Sequence, residues 1–202
     1  MACGATDILS HLCERYFTNA RPVDLTDGFI EANMRSIVKN VPKVLANPRD
    51  YDAWAEVMFG GCTAHNNLFG CGRIGDWASH GIEHELSAKY DVAHGAGLAV
   101  VFPAWMRHVH KHDVARFVRF AVEVWGVRQD YSDAEATALE GIARFQQFLA
   151  SIGMPATLKD LGIPAAAIPE MARLATAGDR FRMGNFVKLD SKAIEAILTS
   201  AA

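Results

Sequence analysis

The sequence lacks a long apolar run, a run of basic residues and closely spaced cysteine pairs. Its longest mainly apolar stretch, residues 96–106, is about half of the ~20 residues that span a bilayer, and Pro103 interrupts it. No charged-then-apolar leader precedes this stretch, so we expect neither a secretion signal nor a membrane span. Lys and Arg total 20 against 23 Asp and Glu, which argues against a nucleic-acid partner.

The four cysteines, Cys3, Cys13, Cys62 and Cys71, have no C-x-x-C spacing. They favour reduced, partly buried thiols, and we expect a cytoplasmic protein. What the 202 residues do contain is a 50% hydrophobic composition and eight histidines. This composition excludes a predominantly disordered chain and predicts one globular domain over residues 1–202.

Helical periodicity dominates the chain and strand-like alternation is hard to find, so the predicted fold class is all-α. Ile8, Leu12 and Tyr16 form one apolar stripe. A second stripe, along residues 25–41, includes Leu25 and Phe29, which we expect to face the core. The pattern therefore predicts a single domain of packed amphipathic helices.

The expected helix ends depend on proline and on capping residues. Pro42 should interrupt the second helix, and Asn47 should cap the third. Ser132 with Glu135 resembles a capping box, and Asp190 should cap the last helix.

The densest chemistry lies in residues 79–95. His80 and His84 are four residues apart, so on a helix they project from one face, and Asp7 and His11 form a second pair with this spacing. Two such pairs can hold a divalent first-row metal ion. From spacing alone, ordinary hydrogen-bonded or solvent-exposed histidines remain the alternative.

The other histidines carry weaker predictions. His65 follows a helix rich in small residues, where it is placed to make a hydrogen bond at the helix end. His108, His110 and His112 alternate in a way that scatters them over different helix faces. We expect all three to be solvated.

A zinc peptidase is a second interpretation of the same residues. His80-x-x-Glu83-His84 matches the H-x-x-E-H pattern, in which both histidines bind zinc and the glutamate is the base. However, Gly81 weakens the helix inside this motif, and the chain lacks strands to build a peptide cleft. This interpretation predicts hydrolysis that Glu83→Gln abolishes.

The combined motifs resemble the iron-dependent (group III) alcohol dehydrogenases, in particular their butanol-dehydrogenase-like branch. The resemblance covers essentially the whole chain, and the 14-residue spacing between His80 and His94 with His84 between them is specific to it. The matching segments are residues 7–11, 80–95, 97–99, 102–106, 153–155, 157–162 and 168–172.

The resemblance implies four metal ligands, Asp7, His11, His80 and His94, around one divalent ion. The ion is usually iron, and zinc or another first-row metal occurs as well. It also implies that His84 lies beside the nicotinamide ring of NAD(P), as a cofactor-binding and catalytic residue in a proton path. His65 lies close to the active-site cleft in this family, so substrate lining and helix-end hydrogen bonding both stay open for it. The implied substrates are small alcohols and aldehydes, and the implied fold is the helical C-terminal domain of this family and of dehydroquinate synthase-like proteins. Because the three ligand histidines bind as neutral groups, metal affinity should fall below about pH 6.

The resemblance also implies an N-terminal NAD(P)-binding domain that we do not find in this sequence. Residues 95–100 approach the G-x-G-x-x-G pattern, but no strand precedes them, so a helix N-terminus is the better interpretation. We therefore expect the metal-binding half of a dehydrogenase, with no turnover of its own and no NAD(P) binding unless the other half is supplied. A homo-oligomer, or association with that half, is expected. The alternative is a non-catalytic helical interaction or assembly module that keeps the fold.

Overall fold

A computed structural model describes residues 1–202 and contains nine α-helices and no β-strand, which confirms the predicted all-α fold class. One isolated antiparallel bridge joins Met183 and Leu189. None of the helices combines the length and apolar character that a transmembrane span requires. The helices are α1 (Ala2–Tyr16), α2 (Asp24–Ala46), α3 (Tyr51–His65), α4 (Ala78–Tyr90), α5 (His94–Val109), α6 (Val114–Trp125), α7 (Ala134–Ser151), α8 (Ile168–Ala175) and α9 (Ser191–Ser200).

The second helix is longer than predicted, because α2 passes through Pro42 and ends at Ala46. Proline removes one N–H donor from a helix interior. Here the turn beyond it is kept by the burial of Val44 in the core and by a hydrogen bond from the Asn47 N–H to the Lys43 carbonyl. The expectation that Pro42 interrupts this helix was wrong.

Aspartates cap four of the helices, among them α6, where Asp113 accepts from the Arg116 N–H. Asp50, rather than the predicted Asn47, accepts from the Ala53 N–H at the start of α3. Asp133, rather than Ser132, accepts from the Ala136 N–H at the start of α7. The predicted cap of α9 by Asp190 is confirmed.

The core is built around α5, whose side chains Phe102, Trp105 and Met106 are fully buried. The Phe17 and Phe117 rings stack beside it with centroids 4.4 Å apart. Burying aromatic side chains of this size contributes a large part of the hydrophobic stabilisation of a small domain.

Leu25 and Phe29 do not face this core, contrary to the prediction. They are 72% and 52% exposed. The buried stripe of α2 begins only at Ile30 and then repeats at helical spacing through Met34, Ile37 and Val41.

A buried ionic cluster fixes α2 against its neighbours. Asp27 pairs with both Arg73, in the segment before α4, and Arg116 on α6. Glu31 accepts a hydrogen bond from the Tyr16 hydroxyl of α1 at 2.9 Å. Removing one member of such a cluster leaves a buried charge unpaired, so the cluster holds α1 in a defined position.

His110 is buried, whereas the sequence pattern predicted a solvated side chain. Its Nδ1 lies 2.7 Å from the Arg107 carbonyl oxygen, and its Nε2 lies 3.0 Å from Glu135 Oε1. The ring therefore links the end of α5 to the first turn of α7. His108 and His112 are exposed, as expected.

Candidate metal centre

Three helices bring the four predicted ligands together. Helix α1 carries Asp7 and His11 one turn apart, α4 carries His80 in its first turn, and His94 is the first residue of α5. The Nε2 atoms of His11, His80 and His94 lie 3.6, 3.6 and 3.4 Å from Asp7 Oδ1. The carboxylate oxygen is thus surrounded by three imidazole nitrogens.

The three distances from Asp7 Oδ1 fit a common cation, although the donor atoms of all four predicted ligands do not lie within 4.8 Å of one another. Four donors about 2.0–2.2 Å from one ion, at the corners of a tetrahedron, lie about 3.3–3.6 Å from one another. In addition, Asp7 Oδ1 and His80 Nε2 are buried and have no hydrogen-bond partner. Buried polar atoms without partners are rare and costly in proteins, and a cation between these two would satisfy both.

The donor atoms around Asp7 form two overlapping groups, and a third group, Glu83, His84 and His94, lies beside them. In one group, atoms of Asp7, His80 and His94 all lie within 4.8 Å of one another, and in the other the same holds for Asp7, His11 and His65. Asp7 belongs to both groups. His65 was not among the ligands implied by the resemblance.

Two buried glutamates hold the imidazole rings in place. Glu14 Oε1 lies 2.9 Å from His80 Nδ1, and Glu83 Oε2 contacts His94 Nδ1. Both carboxylates are fully buried. A carboxylate at Nδ1 takes the N–H of the ring and leaves the Nε2 lone pair for a metal.

Glu14 also fixes the start of α4. It accepts from the backbone N–H groups of Trp77 and His80, at 2.6 and 3.1 Å. A carboxylate placed there satisfies N–H groups that have no partner within the helix and complements the positive end of the helix dipole. One side chain of α1 thereby sets both the backbone and the ring of His80.

Small residues allow His94, another predicted ligand, to approach α1 and α4. A Cβ atom at Gly95 would collide with the Cys3 carbonyl of α1, and one at Gly97 would collide with the Glu83 carboxylate. Both glycines lie in the first turn of α5. This agrees with the expectation that the glycine pattern belongs to a helix N-terminus.

Burial and neighbouring charges shift the pKa values of the histidines at this site in different directions. The pKa of His11 is lowered to about 3, because burial and the neighbouring His80 disfavour its charged form. Burial also lowers the pKa of His80, but Asp7 and Glu14 outweigh it and raise the value to about 9. Burial raises the pKa of Asp7, while contacts with His80, His11 and His65 outweigh it and lower the value to about 2. Asp7 is therefore a carboxylate at neutral pH.

His84 lies outside the ring of nitrogens around Asp7. Its ring centroid is 6.4 Å from that of His80 and 5.4 Å from that of His94, and the side chain is exposed. Its position is thus at the solvent side of the centre, next to His94.

The geometry argues against the peptidase interpretation. That mechanism requires Glu83 as a free base and His80 with His84 as a ligand pair. Instead, one Glu83 oxygen is taken by His94 Nδ1 and the other by the Ser87 hydroxyl, and the side chain is buried. Such a carboxylate has no access to a water nucleophile.

Three residues at this site were not predicted to belong to the metal centre. Glu14 is seven residues after Asp7, on the same face of α1, and this spacing was a usable signal. Glu83 is three residues after His80 and was assigned only a peptidase role. His65 gave no local signal beyond its helix end, where its Nδ1 indeed lies 2.7 Å from the Gly61 carbonyl oxygen.

Comparison with known proteins identifies the family of this chain. The model of the Fe-containing alcohol dehydrogenase family, C-terminal part, matches residues 1–202. The chain is 36% identical to NADH-dependent butanol dehydrogenase B of Clostridium acetobutylicum over 174 residues, which are 85% of this chain and 44% of that protein. It is 32% identical to NADH-dependent butanol dehydrogenase A of the same bacterium, over 95% of this chain and 49% of that protein.

Solved structures give the same result. The crystal structure of NADH-dependent butanol dehydrogenase A from Thermotoga maritima superposes on 100% of this chain and 52% of its own, with a TM-score of 0.93 and 36% identity. The aldehyde reductase YqhD from Escherichia coli superposes with a TM-score of 0.94 and 27% identity, over 100% of this chain and 52% of its own. The chain spans about half the length of these relatives. It belongs to the Fe-containing alcohol dehydrogenase family and corresponds to its C-terminal part.

Proposed function

We propose that this chain is the metal-binding half of an NAD(P)-dependent dehydrogenase that interconverts primary alcohols and aldehydes. Its metal ligands are Asp7, His11, His80 and His94. The observation that carries the proposal is the placement of three imidazole Nε2 atoms 3.4–3.6 Å from one buried carboxylate oxygen without a hydrogen-bond partner. The proposed ion is Fe²⁺, with Zn²⁺ or another first-row divalent ion as the alternative, because nitrogen and carboxylate donors accept several of them.

A bound divalent ion supplies Lewis acidity to an alcohol or aldehyde oxygen, and the nicotinamide cofactor exchanges the hydride. The residues of this chain would hold the ion and fix the orientation of its imidazole ligands. Asp7 supplies the one negative charge among the proposed ligands. Glu14 and Glu83 fix the rings of His80 and His94, so that little reorganisation is needed when a substrate binds.

Access to the centre is uneven. The side chain of His94 is 37% exposed, whereas that of His80 is 8% exposed. Substrate and nicotinamide therefore approach from the side of His94 and His84. His84 is exposed there and can exchange a proton with solvent, which supports its proposed role as the catalytic and cofactor-contacting histidine.

We propose further that the chain alone binds metal but does not turn over alcohol. The two glycines that approach a dinucleotide-binding pattern are used in packing, Gly95 against Cys3 and Gly97 against Glu83. The relatives named as NADH-dependent enzymes are about twice as long. An NAD(P)-binding domain, in a longer chain or a partner chain, would complete the enzyme, and the cytoplasm remains the proposed compartment.

An assembly module that keeps the fold without catalysis is the second candidate function. One surface favours it: Phe29, Phe59 and Leu68 are more than half exposed and line a cavity of about 330 Å³ between α2 and α3. An apolar face of this kind is typical of contact with another protein chain, a homo-oligomer included.

Metal analysis separates the two functions. Protein prepared without chelator should contain close to one equivalent of Fe, Zn, Co or Ni, and His80→Ala should remove it. His108→Ala, which alters an exposed histidine away from the site, should leave it in place. Less than a tenth of an equivalent in the unaltered chain would favour the assembly module.

A further inference from the structure

We propose that His65 is a fifth protein donor to the metal centre, binding the same divalent first-row cation through Nε2. The proposal rests on the proposed metal-binding function and extends its ligand set. His65 is the last residue of α3, a helix that contributes no other donor to the site.

The position of the ring supports this role. His65 Nε2 lies 3.3 Å from Asp7 Oδ2, a separation close to those of the three other imidazoles from Asp7 Oδ1. The ring centroid of His65 is 4.0 Å from that of His11. The ring is thus a direct neighbour of two proposed ligands, and its atoms fall in one donor group with theirs.

The hydrogen-bonding pattern of the ring carries the proposal furthest. His65 Nδ1 lies 2.7 Å from the Gly61 carbonyl oxygen, which can only accept, so Nδ1 carries the proton and donates it. In the neutral ring, Nε2 then presents a lone pair towards the Asp7 carboxylate, which is also an acceptor. Two acceptors 3.3 Å apart are stabilised when a cation lies between them.

The same arrangement occurs at His80 and His94. In each, an acceptor at Nδ1 fixes the tautomer and Nε2 faces Asp7. His11 differs, because its Nδ1 lies 3.4 Å from a guanidinium nitrogen of Arg15, which is a donor. By this criterion, the hydrogen bonding of the His65 ring matches that of a metal ligand better than the hydrogen bonding of the His11 ring does.

Close helix packing brings His65 to the site. Gly61 contacts α1 so closely that an added Cβ would lie 3.0 Å from Ile8 Cδ1. This close contact places the end of α3 next to Asp7, and the Gly61 carbonyl orients the His65 ring. The side chain is 39% exposed, so it can turn towards a cation without repacking the core.

A fifth donor changes the expected metal preference. Zinc in protein sites is usually held by four ligands in a tetrahedron. One carboxylate and four imidazoles offer a higher coordination number, which fits Fe²⁺, Co²⁺ or Ni²⁺ better.

The test uses Co²⁺, whose visible absorption becomes stronger as the coordination number falls. Co²⁺ is titrated into the full chain and into His65→Leu, His65→Gln and the control His108→Leu, with folding checked by circular dichroism. We expect about a 10- to 100-fold loss of affinity in both His65 variants, together with stronger visible bands. His108→Leu should behave like the unaltered chain.

The remaining outcomes are also decisive. Unchanged affinity in both His65 variants would overturn the proposal, and so would weaker binding with an unchanged spectrum, since His65 would then only orient Asp7. If the His65→Leu variant does not fold, His65→Gln alone decides between these results. A chain that binds no Co²⁺ at all would instead contradict the proposed function, which separates the two failures.

Discussion

The buried carboxylate of Glu83 contacts Nδ1 of His94 and thereby joins α4 to the first residue of α5. Glu83 has no exposed surface and His94 is 37% exposed. The pair thus runs from the interior to the open side of the metal centre. It fixes the ring whose Nε2 faces Asp7, so we expect the metal affinity of the proposed site to depend on a residue that does not touch the ion.

Replacing Glu83 or Glu14 by Gln is therefore expected to weaken metal binding. The amide keeps the shape of the side chain but removes the charge that holds the Nδ1 proton of His94 or His80. We expect a loss of about 10- to 100-fold in affinity, measured by competition with a chelator. Glu123→Gln, an exposed position on α6, is the matched control. Affinities equal to that of the control would show that the two glutamates do not support the site.

Metal binding is expected to strengthen as the pH rises from 6.5 to about 9. In the metal-free chain the pKa of His80 is raised from 6.5 to about 9, so at neutral pH a proton must leave before Nε2 can bind. The stabilisation that protonated His80 gives the metal-free fold is complete below pH 6.5 and is lost as the pH passes 9. The pH range in which metal binding should strengthen therefore lies above the value near pH 6 that the sequence indicated.

Calorimetric titration in buffers of different ionisation enthalpy measures this proton release directly. The unaltered chain should release close to one proton per ion at pH 7.5, and affinity should rise with pH. A flat affinity between pH 6.5 and 9 would contradict the assigned state of His80.

A methyl group at Gly97 is expected to disturb both stability and metal binding. The Cβ of Gly97→Ala would meet the Glu83 carboxylate, which has no free space because it is buried. We expect a loss of about 1–3 kcal/mol in the free energy of unfolding, measured with denaturant, and weaker metal binding. Gly28→Ala, on α2, has nothing within 4 Å of its Cβ and should stabilise by about 0.5–1 kcal/mol. Equal effects of the two changes would contradict the close packing at Gly97.

Asp76 is expected to be a large contributor to the stability of the chain. Its buried carboxylate accepts from the backbone N–H groups of Ala78, Asn185 and Phe186, and so ties the segment before α9 to the start of α4. Asp76→Ala leaves these donors without partners, at a cost on the order of 3 kcal/mol. Asp130→Ala removes a comparable but exposed set of bonds and should cost less. Thermal unfolding of both variants provides the comparison, and similar melting temperatures would contradict this role.

Much of the fold and part of the site could be predicted from sequence, because both depend on local periodicity. Helical spacing alone places His11 one turn after Asp7, and the resemblance adds His80 and His94. The structure brings these side chains together, while their binding of metal stays a prediction.

The features that the sequence did not predict depend on contacts between distant segments of the chain. Glutamates on helices are usually solvated, so the burial of Glu14 beside α4 becomes visible only when the helices are packed. His65 reaches Asp7 only because α3 lies against α1 at Gly61. His110 and Phe29 were assigned to the wrong environment for the same reason, since their burial is decided by which neighbouring helix covers them.

X-ray absorption at the metal edge of the iron-loaded chain tests the central claim most directly. The account predicts one ion per chain with nitrogen and oxygen donors near 2.0–2.2 Å, a clear imidazole contribution and no sulfur donor. His80→Ala should abolish this signal. An ion bound through cysteine sulfur, or a spectrum that His80→Ala leaves unchanged, would contradict the account.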